Sequence, residues 1–100
     1  SFEANALESP FVQLATLVAP APPYPRAAEQ RRLQGTVTLR IHVDAGGTPI
    51  EVMVEHSSGH AVLDQAAIKV VKSRWRFVPA TSAGVPIEAW ALLPIEFVLQ

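Results

Sequence analysis

Three histidines, His42, His56 and His60, together with the hydroxyls and carboxylates near them, are the side chains of this 100-residue chain best suited to chemistry. Imidazoles hold zinc when three or four ligands converge on one point. Convergence is not expected here, because the strand register derived below sends His42 to one face of a hairpin and His56 to the other. Ser57, Ser58 and Gly59 set two hydroxyls beside a glycine, yet a serine nucleophile needs an adjacent base held by a third group. No such partner is recognisable, and hydroxyls ahead of a helix serve as caps. Glu51 and Glu55 share a strand face without lining a cleft, so a glycosidase-like pair of carboxylates has no support. The chain has no cysteine, which removes disulfides and thiolate ligands. Neither catalysis nor a metal or other cofactor is expected.

Composition narrows the partners. A net charge of −1 with 17% charged residues creates no broad field for nucleic acid or an anionic membrane. A chain of this length buries roughly 60–70% of its unfolded surface, enough for one core. No run reaches the ~18 apolar residues of a transmembrane helix, and no basic-then-apolar start reads as a signal peptide, so neither is expected within these residues.

The elements follow from period and punctuation. Ser9 and Pro10, followed by Phe11, Leu14, Leu17 and Val18 at helical spacing, predict a short helix in an extension covering residues 1–18. Residues 19–25 contain four prolines and predict an extended connector, since each proline drives its predecessor out of the helical region. Residues 26–33, between Pro25 and Gly35, predict one and a half to two turns of helix. Val37, Leu39, Ile41 and Val43 alternate with polar residues, and so do Ile50, Val52 and Val54. A two-residue turn at Gly46 and Gly47 would set Val43 opposite Ile50, Ile41 opposite Val52 and Leu39 opposite Val54, with His42 facing Glu51, Arg40 facing Met53 and Thr38 facing Glu55 on the other side. Residues 61–74 form a helix whose stripe of Val62, Ala66, Ala67, Val70 and Val71 covers the hairpin's apolar face, with Asp64 in its first turn and Lys72 and Arg74 in its last. Trp75 and Phe77 belong to the core.

Gly84 turns the chain into a last strand, residues 85–99, with Ile87, Ala89, Ala91, Leu93, Ile95, Phe97 and Leu99 facing inward. Pro86 and Pro94 share a parity. A proline lacks the N–H of a ladder bond, so it belongs where that bond would meet no neighbour. Even-numbered residues therefore aim their backbone groups at an open edge, which offers Glu88, Trp90 and Leu92 to an added strand. Trp90 has a second reading, in which it packs under the N-terminal segment. Tyr24 and Pro25 likewise either cap the entrance to the domain or contact a partner.

Taken in order, Tyr24, Pro25, Ala28 and Gly35, the turn Asp44, Ala45, Gly46 and Gly47, then Ser57, Ser58, Gly59, Leu63, Asp64 and Ala67, followed by Trp75, Arg76, Phe77 and Pro79, and lastly Gly84, Pro86, Pro94, Ile95, Glu96 and Phe97, resemble the C-terminal domain of the TonB family over about residues 23–99. The resemblance implies a periplasmic domain of an inner-membrane-anchored protein. It would bind TonB-dependent outer-membrane transporters by capturing their TonB box along the last strand. Such proteins couple the proton motive force to uptake of siderophores, haem or similar nutrients, through ExbB and ExbD type proteins that engage an N-terminal region upstream of the present chain. Further receptor contacts carry over to Tyr24, Pro25 and Arg26, with Gln30 next on the same helix. The alternative is an interaction module of an envelope sensor or scaffold protein. An open edge also lets two copies of such a fragment pair.

The expected architecture is an α+β domain over residues 26–100. It has a three-stranded antiparallel sheet of order 2-1-3, a main helix on one face and short N-terminal helices.

Overall fold

The computed structural model describes residues 11–99. In chain order its elements are β1 (Thr16–Val18), α1 (Arg26–Gln30), β2 (Gly35–Val43), β3 (Pro49–His56), α2 (Ala61–Arg74), β4 (Arg76–Phe77), β5 (Ala80–Ser82), β6 (Val85–Ile87) and β7 (Ala89–Phe97). The sheet β3-β2-β7 is antiparallel throughout, so the expected α+β class and strand order hold.

Alternation makes β2 the centre of the domain. Val37, Leu39, Ile41 and Val43 are buried on one face beneath α2, which contributes Leu63, Ala67, Val70 and Val71. Removing each such aliphatic side chain from water is worth about 1.5–3 kcal/mol, so this layer dominates the stability of the domain. The predicted stripe of α2 is displaced slightly: Leu63 is fully buried, whereas Val62 and Ala66 are only partly covered. Ile95 and Phe97 from β7, with Trp75 and Phe77, close the same core.

The hairpin register is as expected in its centre, with Leu39, Arg40, Ile41 and His42 opposite Val54, Met53, Val52 and Glu51. It slips at both ends. Val43 meets Pro49 rather than Ile50, which is left exposed, and Thr38 meets His56 rather than Glu55. The cause at the turn is Asp44. Its Oδ1 accepts from the N–H groups of Gly46 and Thr48, both at 2.9 Å, and its own N–H donates to the Thr48 carbonyl, which widens the expected two-residue turn into a loop over residues 44–48. Gly47 has φ of +88°, and a Cβ there would lie 2.0 Å from the Phe77 carbonyl oxygen. The Phe77 N–H donates to the Gly47 carbonyl at 2.8 Å, so the loop is clamped to β4.

The last strand is not continuous. Val85–Ile87 pairs with Ala80–Ser82 around a two-residue turn in which Ala83 and Gly84 have φ of +52° and +80°. That twist suits a hairpin. Ile87 consequently lies in this outlying hairpin, 41% exposed, instead of on the inner face. From Ala89 onward the expected alternation holds, with Ala91, Ile95 and Phe97 buried.

The N-terminal segment departs most from expectation. Its described part, residues 11–18, is extended rather than helical: Phe11 bridges Trp90 in parallel, and Thr16–Val18 pairs with Arg76–Phe77. Ser9 and Pro10, the predicted helix start, lie outside the described residues. Eight residues are too few for a helix to be stable alone, and β-branched Val12, Thr16 and Val18 disfavour one. The unpaired backbone of β4 and β7 offers this segment better partners. Downstream, the connector runs extended past Trp75, whose Nε1–H donates to the Pro20 carbonyl at 2.9 Å.

Candidate functional site

Strand β7 lies at the edge of the three-stranded sheet. The Trp90 carbonyl accepts the Val12 N–H at 2.9 Å, so it points away from β2. Because β7 runs against β2 from Ala89 to Phe97 without a register shift, Leu92, Pro94 and Glu96 share the outward parity of Trp90, as read from Pro94, whereas Pro86 lies opposite Thr81 in the β5–β6 hairpin and does not bear on this edge. Pro94 sits opposite Thr38, and its missing N–H leaves no gap in the ladder.

Trp90 and Leu92 lie on the upper half of this edge, whereas Glu88, expected beside them, falls in the break between β6 and β7 just before the strand begins. The Trp90 ring stacks on His42, with centroids 4.5 Å apart and planes 8° from parallel. His42 Nε2 lies 3.3 Å from Glu88 Oε1, and its Nδ1 lies 3.9 Å from Glu51 Oε1. The outer sheet face thus carries Glu51, His42 and Trp90 in one row across three strands, with Glu88 reaching His42 from just ahead of β7 and Leu92 exposed in register with Arg40, which itself pairs with Glu55 at 3.0 Å. The role of His42 was not visible in the sequence. The signal would have been the β2–β7 register, which no short turn specifies.

Tyr24, Pro25, Arg26 and Gln30 gather at the opposite end of β7. The Tyr24 ring meets Phe97 edge-on, with centroids 5.5 Å apart, and its hydroxyl donates to the Leu33 carbonyl. The Pro25 carbonyl accepts the Glu29 N–H at 2.9 Å and opens α1. Ala28 turns inward, while Arg26 and Gln30, four residues apart, share the exposed face. Trp90 and Phe97 are seven residue steps apart along the strand, about 23 Å at ~3.3 Å per step. The two groups are therefore two ends of one strand rather than a single cluster.

The residues weighed for chemistry serve structure. Asp64 is buried at the start of α2, where its carboxylate accepts from Ser57 Oγ at 2.5 Å, Ser58 Oγ at 2.6 Å and the Ser58 N–H at 2.9 Å. Burial alone would raise this carboxyl, but the hydrogen bonds from Ser57 and Ser58, with His60 nearby, hold it below its ordinary value. The direction of capping is thus reversed from the expectation: the carboxylate inside the helix ties down the serines ahead of it. His56 is exposed, and the bulge that pairs it with Thr38 removes the inner-face position expected for it. Among the described residues no group of three His, Cys, Asp or Glu side chains could hold a metal ion.

The molecule is thus of the α+β class, with a three-stranded antiparallel sheet whose edge strand carries Trp90 and is met there by the chain's own residues Phe11 and Val12. Residues 20–99 match the family described as the Gram-negative bacterial TonB protein C-terminal, and the chain belongs to that family. It is 51% identical over 81 residues to Protein tonB2 of Pseudomonas aeruginosa, 40% over 79 residues to Protein TonB of Vibrio cholerae and 37% over 79 residues to Protein TonB of Xanthomonas campestris. These matches take in 81%, 79% and 79% of this chain but only 30%, 32% and 35% of the relatives' lengths.

Proposed function

We propose that this domain is the receptor-binding end of a TonB-like energy transducer. It works in the periplasm and captures the TonB box of an outer-membrane transporter as an added strand on the β7 edge. Glu88, Trp90 and Leu92 flank the captured strand. Tyr24, Pro25, Arg26 and Gln30 provide further contacts at the Phe97 end. The observation that carries the reading is the outward-facing Trp90 carbonyl, which already accepts an N–H from an extended segment. An incoming strand making four or five such bonds, at about 0.5–1.5 kcal/mol each with side-chain contacts added, reaches roughly micromolar affinity.

The remainder of the reading concerns the whole protein. Regions upstream anchor it in the inner membrane and engage ExbB and ExbD type proteins, which link capture to the proton motive force and to uptake of siderophores, haem or similar nutrients. The domain itself performs no catalysis. A pull-down of outer-membrane proteins by this domain, compared with the same domain carrying Leu92→Pro, tests the reading. Recovery of transporters by the first and not the second supports it, and equal recovery by both refutes capture at this edge.

A further inference from the structure

The same Trp90 carbonyl that makes β7 receptive is occupied by the chain's own backbone. Val12 donates its N–H to Trp90 at 2.9 Å, and Phe11, half-buried, bridges Trp90 in parallel. We infer that Phe11 and Val12 are a built-in competitor: a self-docked strand that a partner strand must displace from Trp90 before it can add to the edge. The inference rests on the reading of β7 as a capture edge and adds a regulating element to it.

Three observations carry it. First, the contact is short. Among the described residues it comprises the Phe11–Trp90 bridge and the Val12 N–H bond to the Trp90 carbonyl, and the Val12 side chain remains 41% exposed. Second, the segment is fastened independently just downstream. Leu14 packs against the core, the Ala15 carbonyl accepts the Val78 N–H at 2.8 Å, Thr16–Val18 pairs with β4 and the Pro20 carbonyl is held by Trp75. Phe11 and Val12 thus stay within reach of Trp90 at high effective concentration even when displaced, and their release leaves the fold intact. Third, the acceptor is rigid, because the stack on His42 holds Trp90 in place. A short, tethered strand on a held acceptor opposes casual pairing, including pairing with a second copy, yet yields to a longer strand that makes several bonds.

The loss of one such bond predicts a gain of about three- to tenfold in partner affinity. Val12→Pro in the full 100-residue chain removes only the donating N–H, and a chain lacking residues 1–12 removes the segment while keeping Leu14 and β1. Circular dichroism confirms that both fold. Amide exchange on the unaltered chain reads the contact itself: the Val12 N–H is expected to be protected, and exchange at the unfolded rate overturns the inference. Titration with a synthetic TonB-box peptide reads the competition. Affinity about three- to tenfold tighter for both altered chains supports the self-docked strand, whereas equal affinity for all three overturns it and leaves capture at β7 standing. If no form binds the peptide, the capture reading fails instead, and sedimentation decides the inference. Dimers of the shortened chain at concentrations where the full chain is monomeric support it, and identical masses overturn it.

Discussion

His42 and Trp90, one on the central strand and one on the edge strand, lie opposite each other in register and stack with ring planes 8° apart. The pair locks the outer face of β7 to β2 at the position where the edge accepts its first outside hydrogen bond. A stacked aromatic pair contributes about 0.5–1.5 kcal/mol beyond the area it buries. In a double-mutant cycle of His42→Ala and Trp90→Ala, followed by urea unfolding, the coupling energy should fall in that range. Additive losses would mean that the rings are merely neighbours.

The parity of β7 is tested by two prolines. Leu92→Pro deletes an outward N–H, so the domain should melt near its normal temperature while losing capture of a receptor peptide. Ala91→Pro deletes an N–H directed at β2 and introduces a ring into a buried position, at a cost of about 3 kcal/mol or more. Thermal melts and peptide titrations of both chains give the answer. Unfolding by the first and tolerance of the second would reverse the assignment of the edge.

Asp64 makes stability depend on pH in a definite direction. Its folded carboxyl titrates below the ordinary value of 3.8, so the unfolded chain takes up the proton first as pH falls. The stabilisation is therefore fully present above about pH 5, and declines as pH drops below about 4 through the folded value. Asp64→Asn should cost about 1–3 kcal/mol at neutral pH by weakening the bonds to Ser57 and Ser58, and should flatten the acid limb of the stability curve. Parallel acid limbs for the two proteins would place the acid sensitivity elsewhere.

Gly47 and Gly84 both have positive φ but differ in surroundings. A Cβ at Gly47 meets the Phe77 carbonyl at 2.0 Å, whereas a Cβ at Gly84 meets nothing within 4 Å. Gly84→Ala should cost only the conformational penalty of about 1–2 kcal/mol. Gly47→Ala must also part the loop from β4 and should cost about 3 kcal/mol or more. Equal melting temperatures for the two variants would show that the loop yields freely.

What the sequence disclosed depended on whether local and distant forces agreed. In β2 and the inner face of β7 the hydrophobic period and the burial coincide, and in α2 they differ only by the shift toward Leu63, so these elements and the central hairpin pairs were readable. The ends of the hairpin were not, because the Asp44 side chain competes for backbone N–H groups and lengthens the turn. The spacing of Phe11, Leu14, Leu17 and Val18 suits a helix, but the decision lay with unpaired backbone at Val78 and Trp90, more than sixty residues away. At the candidate site, the parity of Pro94 matched the edge bearing Trp90 and Leu92, but the sequence pattern puts Pro86 and Glu88 in a continuous strand that the break at Glu88 divides. The stack on His42 and the hydroxyl bond from Tyr24 to Leu33 depend on contacts between segments distant in sequence, and no local pattern encodes them.

The attachments of the N-terminal segment occur in a fixed order along the chain: Val12 to Trp90, then Ala15 to Val78, then Thr16–Val18 to Arg76–Phe77, then Pro20 to Trp75, then Tyr24 to Leu33. Traction applied from the N-terminal side meets them in that sequence and loads the contact at Trp90 before the others. A taut chain thus releases the Trp90 contact first, while the core remains shielded behind four further attachments. Optical-trap extension of the chain should show a small early release of about a few residues well below the force that unravels the sheet, and Val12→Pro should abolish that release alone.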